Sequence, residues 1–137
     1  MDNAAARALA LTPASSATER TVEITTVGRR SGLPRRIEIW FYRVDDTNYL
    51  SGMPGRDPDW YHNLQEQPRF TFHLKHGLRA DLPAVAMPIT DEAERRRVFT
   101  AIVADLNQSA NPGGIIQPTL MAAWLADSVL AEIRFDG

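Results

Sequence analysis

Short stretches in which apolar and polar residues alternate recur along this 137-residue sequence. The clearest is Arg69–Lys75, where Phe70, Phe72 and Leu74 occupy every second position. A period of two places one set of side chains on one face of a β-strand. Six such stretches joined by short turns predict a small, mostly antiparallel barrel. The predicted strands are Thr21–Val27, Arg36–Arg43, Tyr49–Gly52, Arg69–Lys75, Leu78–Met87 and Val129–Phe135.

Helices are predicted between these strands, so the fold class is mainly β with helices (α+β). Asp57 is the predicted N-cap of one helix, with Pro58 at the first helical position and the end before Pro68. Thr90 or Asp91 caps a second helix, which carries apolar residues at every third or fourth position. Both helices are short enough to pack against a small barrel.

Composition limits the classes of function. The formal net charge of −2 argues against nucleic acid as the main partner, since such proteins usually present a broad basic surface. The absence of cysteine excludes disulfides, thiol nucleophiles and iron–sulfur clusters. No apolar segment approaches the length of a membrane span. We therefore expect a cytoplasmic protein with one domain over residues 19–137, preceded by a flexible or loosely docked segment over residues 1–18.

Four arginines lie within eight residues of one predicted turn. Arg29, Arg30, Arg35 and Arg36 flank the sequence Ser-Gly-Leu-Pro. Guanidinium groups form planar, forked hydrogen bonds to phosphate and carboxylate, so this turn is a candidate anion site. From charge alone, a solvated turn between two strands is an equally good interpretation.

The helix that follows Asp57 carries a second candidate feature. Trp60 and Asn63 are three residues apart and therefore share a helix face. An indole at this position is typical of a core anchor or of a shelf for a flat ligand. Asn63 requires a hydrogen-bond partner if it is buried, and that partner is either a turn or a ligand.

Other chemistries fit the sequence poorly. His62, His73 and His76 lack the spacing and the carboxylate that a metal site requires, and His73 is predicted to point outward from its strand. Ser31 does not lie in the Gly-x-Ser-x-Gly context of a hydrolase nucleophile. Gly28 and the glycines near it do not match a phosphate-binding loop or a dinucleotide fingerprint. No metal is predicted.

Two motifs together resemble the deazaflavin-dependent nitroreductase family. They are Thr-Thr-Val-Gly-Arg-Arg-Ser-Gly-Leu-Pro-Arg and, after an aromatic strand, Pro-Asp-Trp-Tyr-His-Asn-Leu followed by Pro68. The resemblance covers about Val22 to Lys75. It implies a six-stranded antiparallel split β-barrel, similar to FMN-binding proteins, and an oxidoreductase that uses coenzyme F-420.

The resemblance also implies residue roles. Arg30, Ser31 and Arg35 would hold the cofactor phosphate and acidic tail, and guanidinium forks suit both groups. The deazaflavin ring would lie along the strand residues and the loop that follows them, and the helix would close the site. The implied ring and helix contacts are Ile37, Gly52, Met53, Trp60 and Asn63.

The sequence departs from the family pattern at two positions near the ring. Met53 falls where a serine is frequent, and Glu38 falls where a proline is usual. A carboxylate near an anionic cofactor is unfavourable unless Arg36 or another neighbour offsets its charge. The sequence also has no tyrosine after Tyr61 to serve as a phenol donor.

The leading hypothesis is hydride transfer from reduced deazaflavin to a quinone, nitroaromatic or activated enone. No catalytic side chain is assigned, because the cofactor supplies the hydride. Asn107–Ile116 is a candidate substrate wall, and Ile115, together with Met121 and Trp124 from the predicted helix that follows, is assigned to it. The Met121 and Trp124 pair is, however, more typical of core packing than of a cofactor-binding element. An FMN-using split barrel and a non-catalytic protein that binds a hydrophobic ligand are the alternatives. The expected partner is a small redox substrate, with a second copy of the chain as a candidate and nucleic acid excluded.

Overall fold

The computed structural model describes residues 2–107 and 121–136, which form six strands and five helices. The strands are β1 Thr21–Val27, β2 Pro34–Val44, β3 Thr47–Ser51, β4 Arg69–Leu74, β5 Ala80–Pro88 and β6 Leu130–Phe135. The helices are α1 Asn3–Leu9, α2 Ala17–Arg20, α3 Asp59–Glu66, α4 Glu92–Leu106 and α5 Met121–Asp127. None of these helices is long and apolar enough to cross a membrane.

The strands close into one antiparallel barrel in the order β1-β2-β3-β6-β5-β4. Each strand therefore has two hydrogen-bonded neighbours, and the sheet has no open edge. The prediction of six antiparallel strands in a barrel is confirmed. Pro83 lies in β5 opposite Thr71 of β4, and its carbonyl accepts a hydrogen bond from the Asp136 amide at 3.0 Å.

Apolar side chains at alternate positions fill the barrel interior. Phe41 and Phe72 are fully buried and pack edge to face with ring centroids 5.2 Å apart. Phe135 packs against Phe72 in the same way, also at 5.2 Å. Burying one such side chain contributes about 1.5–3 kcal/mol, so the period-two pattern in the sequence supplies the main driving force for closing the barrel.

A second apolar cluster lies outside the barrel, where α4 and α5 cover the outer face of β2 and β3. Tyr42 and Tyr49 face outward from the two strands into this cluster. Phe99 of α4 and Trp124 of α5 pack against each other with ring centroids 5.8 Å apart. The predicted apolar stripe of α4 is buried throughout; it consists of Val98, Phe99, Ile102, Val103 and Leu106.

The N-terminal segment, expected to be flexible or loosely docked, forms two capped helices in the structure. Asp2 caps α1, and Ser16 begins α2 with a reciprocal capping box. Leu9 is buried in the barrel core cluster, and its carbonyl accepts a hydrogen bond from Asn48 Nδ2 at 3.0 Å. Arg20 is 2% exposed and paired with Asp105 of α4. Apolar burial and backbone hydrogen bonding therefore hold this segment against the barrel.

One local prediction, Asp57 as the N-cap of α3, is wrong. Pro58 occupies the N-cap of α3 without a side-chain hydrogen bond, whereas Asp57 pairs with His62 one turn into the helix. The Asp57 carboxylate is drawn to this imidazole rather than to the backbone amides. His73 lies on the outer face of β4, as the alternation predicts, but is only 6% exposed. Hydrogen bonds to Thr25 Oγ1 at 2.7 Å and to Asp81 Oδ1 at 2.6 Å satisfy both ring nitrogens.

Candidate functional site

A groove with two connected cavities runs between β2 and α3. The cavities share Ile37, Asp59 and Trp60, so they meet where β2 faces the first turn of α3. We call the part at the β1–β2 turn, with a volume of about 430 Å³, the arginine end. We call the part beyond Trp60, with a volume of about 740 Å³ and with Trp40 and Trp124 in its walls, the apolar end. Together they form one elongated site with two chemically different halves.

The turn at the arginine end is closed by its own backbone. The Gly28 amide donates to the Leu33 carbonyl at 2.8 Å, and the Gly32 amide donates to the Gly28 carbonyl at 2.8 Å. Gly32 has a φ of +70°, a conformation that glycine adopts without a steric penalty. Ser31 Oγ accepts from the Leu33 amide at 3.1 Å, which leaves its hydroxyl hydrogen free to donate into the cavity.

A buried bracket fixes this turn to α3. Asn63 is 4% exposed, and its Oδ1 accepts from the Arg29 amide at 3.1 Å and from the Arg29 guanidinium at 3.0 Å. Its Nδ2 donates to Thr26 Oγ1 at 3.1 Å. The Arg29 guanidinium also pairs with Asp59 at 3.1 Å. Asn63 is therefore satisfied by the protein and positions the turn.

Two arginines of the turn remain available for a ligand. Arg30 and Arg35 both line the arginine end, and neither side chain has an ion-pair or hydrogen-bond partner within residues 2–107 and 121–136. A Cβ at Gly28 would lie 2.6 Å from Ser31 Oγ and 3.4 Å from Arg35 Nε. The glycine therefore provides the space in which these two side chains lie. The turn presents two uncompensated positive charges and a hydroxyl donor to one cavity.

The apolar end is walled by aromatic and aliphatic side chains. Trp124 is 3% exposed, and its ring belongs both to the cavity wall and to the outer apolar cluster. Trp40, Tyr42 and Leu106 continue this wall, and the exposed Met53 also lines the cavity. Burial raises the pKa of the Tyr42 hydroxyl to about 12, so this side chain stays neutral at physiological pH. This half of the groove suits a flat, weakly polar molecule.

Glu38, the residue that departs from the family pattern, lines the apolar end but is not an isolated charge. Its carboxylate pairs with Lys75, which directly follows β4 and also contacts Glu23 at 3.1 Å. Glu23 in turn accepts from Arg36 Nε at 2.8 Å. Lys75 therefore offsets the negative charge of Glu38, which would otherwise repel an anionic cofactor. Arg36 pairs with Glu23 instead.

The structure gathers most of the predicted site residues around this groove. The residues that line the arginine end are Arg30, Ser31, Arg35, Ile37, Trp60 and Asn63. Gly52, Met53 and Trp124 line the apolar end. Met121 does not line either cavity and packs against the outer apolar cluster, while Ile115 lies outside the described residues.

The sequence did not predict the bracket between Arg29 and Asn63 or the place of Trp40 in the wall of the apolar end. Arg29 was grouped with its neighbours because four adjacent guanidinium groups look equivalent in a sequence. The signal that could have separated it was Asn63, a mid-helix amide that needed a partner. Trp40 lies on the aromatic strand, but its place in the cavity wall with Trp124 depends on how α5 packs.

The comparisons with known proteins identify the family. The family model of F420H(2)-dependent quinone reductases matches residues 14–111. The chain belongs to this family. Members are oxidoreductases that use reduced coenzyme F-420, which confirms the predicted enzyme class, the predicted cofactor and the resemblance to deazaflavin-dependent enzymes. A comparison with curated protein sequences gives no significant match.

Solved structures share the fold of this reductase-family chain. A conserved hypothetical protein from Mycobacterium tuberculosis is 20% identical with a TM-score of 0.66, covering 100% of this chain and 82% of that one. An FAD-binding protein from Mesorhizobium loti is 13% identical with a TM-score of 0.60, covering 100% and 91%. A protein described as an F420 reductase is 17% identical with a TM-score of 0.58, covering 85% and 86%. These similarities confirm the split-barrel fold.

The groove fits the cofactor of the family. Coenzyme F-420 joins a flat deazaflavin ring to a phosphate and a glutamyl tail. The unpaired Arg30 and Arg35 suit the anionic part, because guanidinium forks match phosphate and carboxylate oxygens. Ile37 and Trp60, at the junction of the two cavities, provide an apolar surface for the ring. The residues present are therefore compatible with this cofactor in both charge and shape.

Proposed function

We propose that this reductase transfers hydride from reduced coenzyme F-420 to an electron-poor acceptor bound at the apolar end. The candidate acceptors are quinones, nitroaromatics and activated enones. The observation that carries the proposal is the continuity of the groove, with unpaired arginines in one half and an aromatic cavity in the other. The cofactor supplies the hydride, and the chain supplies binding, orientation and exclusion of water.

At the arginine end, Arg30, Ser31 and Arg35 bind the phosphate and acidic tail. The two guanidinium groups donate charge-assisted hydrogen bonds, which are about twice as strong as neutral ones. Asn63 acts indirectly, because its hydrogen bonds to Arg29 hold the turn in place. Support for this assignment comes from the absence of a competing anion for Arg30 and Arg35 within the part of the chain that the structure describes.

At the junction and beyond it, Ile37, Gly52, Met53 and Trp60 contact the ring. Gly52 is compatible with close approach of a ring, because its missing side chain leaves only backbone at that point of the cavity. Trp124 forms the wall against which a flat acceptor stacks, and this wall excludes water from one side of it. Met121 supports this wall only indirectly, by packing against the outer apolar cluster that includes Trp124.

The proton that completes reduction of the acceptor comes from solvent. Tyr42 is neutral but holds its proton tightly, since burial raises its pKa to about 12. His62, paired with Asp57 beside the cavity, has a raised pKa because of that hydrogen bond, but its own side chain does not line the groove. The open mouth of the cavity gives water access to the acceptor.

Substitution of two adjacent arginines tests the assignment of the arginine end. Arg35→Ala should weaken binding of coenzyme F-420 by about 10- to 100-fold, the range expected for losing a hydrogen bond to a charged group. Arg36→Ala is the matched control, because Arg36 pairs with Glu23 and does not line the groove. Fluorescence titration measures both affinities. Equal affinities for the two variants would contradict the assignment.

Turnover with an acceptor panel tests the reaction. Oxidation of the reduced cofactor, followed by absorbance, should proceed with at least one of a quinone, a nitroaromatic and an activated enone. Trp124→Ala should raise the KM for that acceptor while leaving cofactor affinity within about twofold, since Trp124 lines only the apolar end. Cofactor binding without turnover of any of the three classes would overturn the proposed reaction.

A further inference from the structure

The apolar end contains three carboxylates among the described residues, and each of them has a basic partner. Glu38, Asp57 and Asp59 line this cavity. Glu38 is paired with Lys75, and Asp57 is paired with His62. Asp59 is paired with Arg29 at 3.1 Å. These three pairs remove most of the repulsion that an anionic molecule would otherwise meet in the cavity.

Arg56 also lines the apolar end and is not part of any such pair. Its side chain has no hydrogen-bond or ion-pair partner in the part of the chain that the structure describes. Its backbone, in contrast, is held in a turn, because the Arg56 amide donates to the Met53 carbonyl at 3.3 Å. Gly55 within this turn has a φ of +79°. A fixed backbone therefore presents an uncompensated guanidinium at the wall of the cavity.

Arg56 is exposed but belongs to a cavity whose other walls are largely apolar. It shares the lining of this cavity with Trp40, Trp124 and Leu106, so one bound molecule can meet both the apolar walls and the guanidinium. A guanidinium fork matches the two oxygens of a carboxylate, and its planar shape lets it stack beside an aromatic acceptor. A neutral acceptor would leave this charge without a partner.

We propose that Arg56 selects acceptors that carry a carboxylate next to their electron-poor aromatic or quinonoid ring. The inference rests on the proposed function and adds the charge of the acceptor to it. In the complex, the ring lies against the aromatic wall and the carboxylate accepts hydrogen bonds from Arg56. The paired carboxylates around the cavity allow this anion to enter.

A matched pair of nitroaromatics tests the inference. The readout is kcat/KM for para-nitrobenzoate divided by kcat/KM for para-nitrobenzamide, compared between the unchanged protein and Arg56→Gln. Because both proteins are tested with the same two compounds, the difference in intrinsic reactivity between the compounds cancels when the ratios are compared. Arg56→Gln should lower the ratio about 10- to 100-fold, the range for losing a charge-assisted hydrogen bond. Arg56→Lys should restore part of it.

Two controls separate this result from other causes. Arg79→Gln removes an exposed arginine that does not line either cavity, and it should leave the ratio unchanged. The affinity for coenzyme F-420 should be the same in Arg56→Gln as in the unchanged protein. A loss of cofactor affinity with an unchanged ratio would assign Arg56 to the cofactor and overturn the inference, while leaving the proposed function intact.

Equilibrium binding gives the same comparison without turnover. Calorimetric titration of the two nitroaromatics into protein saturated with oxidised coenzyme F-420 should show tighter binding of the carboxylate. Arg56→Gln should abolish that preference. If neither compound is turned over but the binding preference depends on Arg56, the anion subsite stands and the proposed reaction fails. An equal affinity for both compounds in the unchanged protein would overturn the anion subsite.

Discussion

The two ends of the groove are built on opposite principles. At the arginine end, one guanidinium is used in the bracket of Arg29, Asn63 and Asp59, and Arg30 and Arg35 have no partner among the residues that the structure describes. At the apolar end, each of the three carboxylates among the described wall residues has a basic partner, and aromatic rings form much of the surface. The first arrangement favours binding of an anionic group by two cations, and the second favours a flat ring beside a single cation, Arg56.

This contrast explains how one small barrel can bind a molecule that is anionic at one end and apolar at the other. The polar bracket is satisfied internally, so it can be buried without cost to the site. The unpaired cations stay close to solvent, where their desolvation cost is small. Trp60 separates the two environments and contributes to both cavities.

The largest expected effect comes from removing the bracket. Asn63→Leu leaves Thr26 Oγ1 and the Arg29 amide without their partner in a buried position. The free energy of unfolding should fall by about 1–3 kcal/mol, the cost of orphaning a buried polar group. Cofactor affinity should fall about tenfold, because the turn loses its connection to α3. Chemical denaturation and fluorescence titration measure the two effects.

Glu66→Leu is the matched control for this variant. Glu66 is exposed at the end of the same helix and does not line the groove, so both quantities should stay near those of the unchanged protein. The KM for a neutral acceptor should also be unaffected in Asn63→Leu, since the bracket belongs to the arginine end. A rise in that KM equal to the loss of cofactor affinity would mean that the two ends are not independent.

A smaller effect is expected from filling the space at Gly28. In Gly28→Ala the new Cβ would lie 2.6 Å from Ser31 Oγ and 3.3 Å from the Leu33 carbonyl oxygen, so Ser31 must move and the turn backbone is crowded. Cofactor affinity should fall by a factor of about 5, equivalent to about 1 kcal/mol. Fluorescence titration detects this change.

Gly32→Ala separates crowding from backbone strain. A Cβ at Gly32 meets no atom within 4 Å, but the φ of +70° disfavours alanine. This variant should lose about 1–2 kcal/mol of stability and keep its cofactor affinity. If it loses affinity as well, the backbone conformation of the turn, rather than the position of Ser31 and Arg35, governs binding.

The smallest expected effect is a dependence of stability on acid pH. Hydrogen bonds from Arg36, and then from Lys75, lower the pKa of Glu23 below its usual value of 4.5. A lowered pKa in the folded state means that the ionised carboxylate stabilises the fold above pH 4.5, and that this contribution disappears as the pH falls through the folded-state pKa. The pairs are exposed, so the contribution is small.

Glu23→Gln removes this titration and tests its assignment. Thermal unfolding measured from neutral pH to below 4.5 should show a shallower acid limb for the variant than for the unchanged protein. Cofactor affinity at neutral pH should not change, because Glu23 does not line the groove. Identical acid limbs would show that Glu23 does not contribute to acid sensitivity.

The strands and the α4 stripe could be predicted because their signal is local. Phe70, Phe72 and Leu74 recur with period two, and burial of that set requires a strand whatever its neighbours are. Roles that depend on which face of a strand a side chain points from were harder to predict from the sequence. Arg35 and Arg36 are adjacent in sequence, yet alternation along β2 directs one toward the groove and the other toward Glu23.

The remaining wrong predictions concern positions that depend on tertiary packing. Met121 and Trp124 lie three residues apart on α5 and were predicted to form one substrate wall, but only Trp124 lines the cavity. Which of them turns inward depends on how α5 packs against α4. The start of α3 was misjudged for a related reason, since His62 competes for the Asp57 carboxylate only once the helix has formed.

The most direct measurement compares coenzyme F-420 with the same deazaflavin lacking its phosphate and glutamyl tail. Affinities of both molecules are measured by fluorescence titration for the unchanged protein and for a variant with Arg30→Gln and Arg35→Gln. The account predicts that the complete cofactor binds the unchanged protein far more tightly, and that the difference collapses in the double variant while affinity for the tail-less molecule persists. An equal advantage of the complete cofactor in both proteins would contradict the account.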